Sequence, residues 1–343
     1  VTHSTATPSG ATPTGTSPAG ATPPGDPSPN TLRASASRSK TVLSIGDRVF
    51  SRAAVFAGSM ILVTLGAVAL FLIVRSIPAF NATNETASLL TSNFWSYVGP
   101  LVFGTVWAAA LALLFALPLS IGIALFISHF APRRLAQLLG YIVDLLAAVP
   151  SVVFGLWGIG VLAPTIRPVY VWLNDNLGWI PLFGGVVSGT GRTILTAAIV
   201  LAVMILPIMT AICREVFLQA PKLQEEAALA LGATRWEMIK LAVLPFGRPG
   251  IVSAAMLGLG RALGETMAVA MVLSATGLVS LKLLTSENPS TIAANIALSF
   301  PEAYGENINI LIATGLILFI VTFLVNALAR WIVSRRAEFQ EAN

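Results

Sequence analysis

Long apolar runs alternate with short polar connectors along this chain, and the runs have the length of a bilayer crossing. A helical span needs about 20 apolar residues to cross about 30 Å of hydrocarbon. Six segments meet that demand: residues 53–74, about 101–127, about 135–162, 193–213, about 251–278 and about 308–329. The predicted fold class is therefore an all-α membrane protein with six transmembrane helices. The uncharged stretch from Thr86 to Ser128 is too long for one span. Its opening, TSNFWSYVGP with Trp95, Tyr97 and Pro100, reads as an interfacial lead-in.

The first 45 or so residues have no such pattern. They are Ser, Thr, Pro, Ala and Gly with almost nothing to bury, as in ATPSGATPTGTSPAGATPPGDPSPN. A segment of this kind cannot offset its own ordering entropy, and residues 1–47 are expected to form a disordered tail. No apolar run follows a basic start within the first 40 residues, so it does not read as a signal peptide.

Composition agrees with lipid as the solvent. The hydrophobic fraction is 55% and the charged fraction only 10% over 343 residues, more apolar surface than a soluble core of this size could hide. The single cysteine, Cys213, excludes an intrachain disulfide, and with two histidines it makes a metal cluster improbable. The net charge of +5 is explained by topology and calls for no nucleic-acid partner. With the N-terminus cytoplasmic, 15 of the 20 lysines and arginines fall on the inner side. Only Arg75, Arg167, Arg192 and Lys282 fall outside, and Arg261 falls within the membrane. That bias predicts both termini inside.

The connector between the fourth and fifth spans, QEEAALALGATRWEMIKLAVLPFGRPG, is not loop-like. Pro221 can open a helix, and Glu225 and Glu226 suit its positive N-terminal end. Gly232 interrupts it. Thr234 and Glu237 form a capping-box pattern that starts a second short helix, which Pro245 is expected to end. A short helix presenting Ala227, Ala228 and Leu231 is shaped to lie in a groove of another protein.

The elements Glu226, Ala227 and Ala228, then Gly232, then Leu244 and Pro245, resemble the EAA loop of membrane subunits of ATP-binding-cassette importers. That pattern usually has Ile two residues before the Leu, where this chain has Ala242. Together with GLGRALGETMAV and with LLAAVPSVVFGLWG, the chain is similar to phosphate-importer permeases of the PstC type over roughly residues 50–335. The resemblance implies a type I importer permease fold, with residues 48–100 as first helix and outer loop, 101–335 as the importer transmembrane domain and 336–343 as a cytoplasmic end. It implies that the loop at about 221–246 is a coupling helix docking on an ATPase subunit. The implied partners are a second permease of the PstA type, two ATP-binding subunits of the PstB type, a phosphate-binding protein of the PstS type on the outer face, and membrane lipid. The location implied is the bacterial plasma membrane. A Walker A loop needs Gly directly before its Lys, and the four lysines here follow Ser39, Pro221, Ile239 and Leu281. ATP and Mg are therefore expected in the partner ATPase, with no cofactor and no enzyme activity in this chain.

Arg261 and Glu265 stand four residues apart in an apolar run, which on one helix would put them on one face. A central charge costs about 2.5–3.5 kcal/mol on insertion scales, so both must face protein or water. As a structural pair they would pin the helix in the bundle. As a pathway pair, Arg261 would offer an oxyanion a permanently charged bidentate donor set, with Glu265 competing for the guanidinium when the path is empty. Gly258, Gly260 and Gly264 would let a neighbouring helix approach. Asp144, near the start of the third expected span, would snorkel or pair with a loop arginine. Pro118, Pro150 and Pro207 would kink or interrupt their helices. Sulfate or molybdate transport remains open on these residues, as does an ATP-independent anion transporter, which would need an internal repeat.

Overall fold

The computed structural model describes residues 45–83, 87–90 and 92–341, without the side chains of 45, 47, 48 and 332–341. The expected tail, 1–47, lies almost entirely outside the described residues. The chain divides into two units, residues 1–61 and 62–343. In the first, the described part is the opening of α1 (Ile45–Phe80), whose apolar side chains from Val49 to Leu62 are exposed.

Among the described residues six helices are long and apolar enough to cross a membrane. They are built from α1, α2 (Phe94–Leu125), the pair α4 (Ser151–Trp157) and α5 (Ala163–Leu177), α6 (Ile194–Leu218), α9 (Leu244–Leu263) with the short α8 (Arg235–Met238) before it, and α12 (Glu306–Glu341). Among the described residues there is no strand. The six-span prediction holds, but two spans are not where the apolar runs placed them.

The third differs most. Residues 135–162 do not form one helix: α3 (Arg133–Ala147) ends at Ala148, and Pro150 caps a new helix. Proline lacks the amide that would continue α3 and pushes the preceding residue out of helical conformation. Arg133, Arg134, Gln137 and Asp144 share α3 with exposed Leu138, Tyr141 and Leu145, an amphipathic pattern unlike that of a spanning helix. The span is instead Ser151–Leu177, carried from α4 to α5 by a π turn at Gly158–Leu162. Its 27 residues reach about 40 Å, so Arg167 and Pro168 lie within a helix and not in an outer loop. By contrast Pro118 and Pro207 lie inside unbroken helices.

The lead-in also proves helical: α2 starts at Phe94, so Trp95, Tyr97 and Pro100 belong to it. Asn93 caps it, its side chain accepting from the Ser96 amide at 2.9 Å.

Apolar all round, α6 is buried on nearly every side and forms the centre of the second unit. Ala108, Ala109, Ala112 and Ala116 of α2 recur at helical spacing and face it, small enough for the backbones to come close. Gly155 and Gly158 do the same for α4 against α10 (Met267–Val272). A methyl on Gly155 would stand 3.0 Å from the Ala268 Cα, and one on Gly158 would stand 2.7 Å from the side chains of Val200 and Val272. A second cluster joins Ala79, Ala82, Phe94 and Val98 to Ile310 and Ala313 of α12.

The connector from α10 to α11 (Ile292–Ser299) is tied down by Asn288, which is fully buried. Its side-chain oxygen accepts from the Ile194 amide at 3.1 Å, and its amide donates to the carbonyls of Ser274 and Thr285 at 3.2 and 3.0 Å. Thr105 of α2 accepts from the Ile292 amide at 2.9 Å. The side chain of Asn288 and the amide of Ile292 are thus satisfied by named partners, whereas the buried Thr285 hydroxyl has none.

Candidate functional site: the coupling segment and the break after Arg261

The segment after α6 forms α7 (Lys222–Ala230), with Pro221 as its N-cap and Glu225 in its first turn. It stops in a Schellman motif: Gly232 donates to the Leu229 carbonyl at 3.0 Å and Ala233 to that of Ala228 at 3.2 Å. Gly232 has φ +87°, and a Cβ there would meet nothing within 4 Å. Backbone conformation, not space, is what demands glycine.

The capping box is present. Thr234 N and Oγ1 each donate to Glu237 Oε2 at 2.8 Å, and the Glu237 amide donates to Thr234 Oγ1 at 3.3 Å. The helix it starts does not end at Pro245. It widens into a π turn at Ile239–Val243 and continues as α9, with Pro245 in the first turn of that helix. The Leu244 amide donates to the Ile239 carbonyl, five residues back, so the missing proline amide falls where the ladder changes pitch. The fifth span is therefore Arg235–Leu263, offset from the expected 251–278 toward the coupling segment.

Met238, Ile239, Ala242 and Val243 are buried, and Leu244 packs on the main core. Ala228 also turns inward and packs on that core, rather than being presented with Ala227. The outward stripe of α7 is Leu223, Ala227 and Leu231, four residues apart, with Glu226 exposed beside it. Leu231 is 90% exposed, an apolar side chain without cover in this chain. His129, in the π turn Phe126–Phe130 that ends α2, approaches Glu225 at 3.5 Å. Lys240 lies over the Trp236 ring, 5.1 Å from its centroid.

Arg261 and Glu265 do not share a helical face. α9 ends at Leu263 with Gly264 as C-cap, and α10 starts at Met267. Glu265 is buried, and its Oε1 accepts from the Ala268 amide at 3.1 Å. Among the described residues the ion pairs are His129–Glu225 and Arg214–Asp144, and Arg261 has neither an ion pair nor a hydrogen bond. The carboxylate has taken an amide at the head of α10 in place of the arginine, because α9 stops at Gly264 and leaves Glu265 three residues before that amide, in the place of a helix cap. Arg261 is half-buried, one turn beyond exposed Leu257 and two beyond exposed Ser253, on a stripe that this chain does not cover.

The glycines divide. A Cβ on Gly258 would stand 2.7 Å from Met209 Sδ of α6, so Gly258 does serve close packing. Gly260 has nothing within 4 Å, and Gly264 meets only the Gly260 carbonyl of its own helix. Asp144 pairs with Arg214 of α6 at 3.9 Å, and the Arg214 guanidinium lies over Gly140, where a side chain would block it. His129, Asn288 and Arg214 were not legible as partners in the sequence, because each contact joins residues remote along the chain.

Residues 116–338, the stretch that runs from mid-α2 through the coupling segment to α12, match the family described as the binding-protein-dependent transport system inner membrane component. The chain belongs to this family. Among the members it resembles, the phosphate transport system permease protein PstC 2 of Mycobacterium tuberculosis is 48% identical over 296 residues, 83% of this chain and 91% of that protein. PstC of Mycobacterium leprae is 47% identical over 84% of this chain and 94% of that protein, and PstC of Mesorhizobium japonicum 40% identical over 88% and 94%. The fold of this inner membrane component matches a crystal structure of a bacterial ABC transporter involved in import of the acidic polysaccharide alginate. The TM-score is 0.55 at 18% identity, over 84% of this chain and 99% of that one. The chain is thus a multi-pass membrane protein with the type I importer permease fold, and its work is transport.

Proposed function

We propose that this chain is the permease subunit of an ATP-driven, binding-protein-dependent importer of inorganic phosphate in a bacterial plasma membrane. Identity of 48% across 83% of the chain to a phosphate permease is the observation that carries this assignment. The half-buried, unpaired Arg261 on the uncovered stripe of α9 supplies the chemistry. A guanidinium with no internal partner offers an oxyanion two parallel donors and a charge that no physiological pH removes. Facing a second permease of the PstA type, that stripe would be one wall of the pathway. Glu265, two residues beyond the end of α9, caps the head of α10, and Arg261 stands in the last turn of α9.

The exposed stripe Leu223, Ala227 and Leu231, with Glu226 beside it, fits a groove on an ATPase of the PstB type. Gly232 and the Thr234–Glu237 box hold α7 at a fixed angle to α9, whose far end carries Arg261, while Leu244 and Pro245 join the two without a hinge. ATP and Mg act in the two ATPase chains, and a PstS-type protein delivers phosphate at the outer face. The excess of lysine and arginine expected on the side of α7 supports an orientation with both termini in the cytoplasm. Vesicles carrying the four-chain complex test this: uptake of labelled phosphate should require ATP and the loaded binding protein and resist excess sulfate. Competition by sulfate or molybdate would reassign the substrate, and uptake without ATP would remove the importer mechanism.

A further inference from the structure

Arg192 stands directly before Thr193, the N-cap of α6, at the end of that helix opposite the coupling segment. Gly191 sets its direction, with φ +71° and a close approach to the Ala163 carbonyl that a Cβ would block. The guanidinium reaches across to α10. Its Nη2 donates to the carbonyl of Leu273, the C-cap of α10, at 3.4 Å, which is long for such a bond. Nε is buried without a partner, and Nη1 has no partner and stays within reach of solvent. Neither ion pair among the described residues includes Arg192. A half-buried guanidinium in this state lacks the counter-charge that shielded charges normally find.

Gly247, Gly250 and Gly258 of α9 lie against Phe217, Val216 and Met209 of α6, so the two helices run antiparallel. Arg261 therefore stands about 20 Å from Arg192 along α6, and α10 fills the interval. The uncovered stripe of α9 does not stop at the break. Beyond Arg261, Gly264 and Met267 are exposed, and Ser274, next to the carbonyl that Arg192 holds, is half-buried. Two guanidiniums without ion-pair partners thus stand at two levels of one uncovered stripe.

We propose that Arg192 is the permease's first contact with the transported oxyanion, at the mouth opposite the coupling segment, from which the anion passes inward to Arg261. This rests on the pathway reading of Arg261 given above. With the mouth empty, the Leu273 carbonyl holds the guanidinium in place. A neutral carbonyl is a weaker acceptor than an oxyanion, so the arriving anion takes the Nη1 edge and competes for Nη2. A fixed positive charge there also raises the anion's local concentration before it meets Arg261.

Labelled-phosphate uptake by the assembled complex with its loaded binding protein, at matched assembly, separates charge from packing. Arg192→Lys keeps charge and donor, Arg192→Gln keeps a donor for Leu273 without the charge, and Arg192→Met keeps neither. Uptake should stay near wild type in Arg192→Lys and fall about tenfold in the other two, the effect of one charged hydrogen bond. Equal uptake by Arg192→Gln and Arg192→Lys would make the residue a cap on α10 and overturn the proposal. Should the variants not assemble, phenylglyoxal modification of the wild-type complex, mapped by peptide mass spectrometry, decides it: inorganic phosphate should slow modification of Arg192. No slowing would overturn the proposal, and slowing by the empty binding protein alone would give Arg192 to that protein's docking surface and overturn it too. Loss of uptake in Arg261→Gln with normal uptake in Arg192→Gln would end this inference and leave the pathway reading intact. Normal uptake in Arg261→Gln would remove that reading and this inference with it.

Discussion

His129 Nε2 stands 3.5 Å from Glu225 Oε1, joining the π turn that ends α2 to the first turn of α7. Both side chains are mostly shielded, 11% and 21% exposed, so the contact is worth more than a surface pair. It links the coupling segment to a third span, α2, besides its covalent connection to α6 and α9. His129→Ala should therefore loosen α7, raising amide exchange across Lys222–Ala230 by about fivefold, the effect of roughly 1 kcal/mol. Glu225→Gln should give a smaller change. Unchanged exchange in both variants would show that Ala228 alone seats α7.

The Schellman turn gives a second expectation. Gly232 has φ +87° with open space around it, so any cost of substitution is conformational. Gly232→Ala should destabilise the turn by about 1–2 kcal/mol and Gly232→Asn by less, since Asn tolerates the left-handed region. Thermal unfolding followed at Trp236 reports the order. Equal effects would mean that side-chain contacts decide the position.

Glu265 as a cap behaves differently from Glu265 as an ion-pair partner. Glu265→Gln keeps a side-chain oxygen for the Ala268 amide, 3.1 Å away, and should retain much of the stability. Glu265→Ala loses the acceptor and should cost about 1 kcal/mol. The melting temperatures of the two variants in detergent separate these roles: equal losses would restore the ion pair with Arg261.

Neighbouring glycines should respond in opposite ways. Gly258→Val drives a side chain into Met209, where even a Cβ stands 2.7 Å from sulfur, and should cost about 1–3 kcal/mol in folded chain. Gly260→Ala meets nothing within 4 Å and should leave this chain's own stability unchanged. Its effect, if any, should appear only in assembly with the second permease, read as the fraction of complex recovered by size-exclusion chromatography.

Periodicity and apolar length made the number of spans legible, because lipid demands the same run from every crossing helix. The boundaries escaped where a special residue overrode the apolar run. Pro150 divided one run, and a π turn carried another through Pro245. The capping box at Thr234 and the stop at Gly232 were legible since each is a local device with a fixed spacing. The geometry of Arg261 and Glu265 was not, although LGET carried the signal: a glycine that can end a helix, followed by Glu and Thr that can begin the next. Reading Glu265 as the charge partner of Arg261 gave spacing priority over capping, and the amide of Ala268 won the carboxylate.

The central claim is that Arg261 handles the transported anion. Labelled-phosphate uptake into vesicles holding the four-chain complex and its loaded binding protein, compared for wild type and Arg261→Gln at matched assembly, tests it most directly. Loss of one charge-assisted bidentate contact should lower uptake about 10- to 100-fold, with assembly unaffected. Normal uptake by Arg261→Gln would make this arginine a structural charge and contradict the account of the pathway.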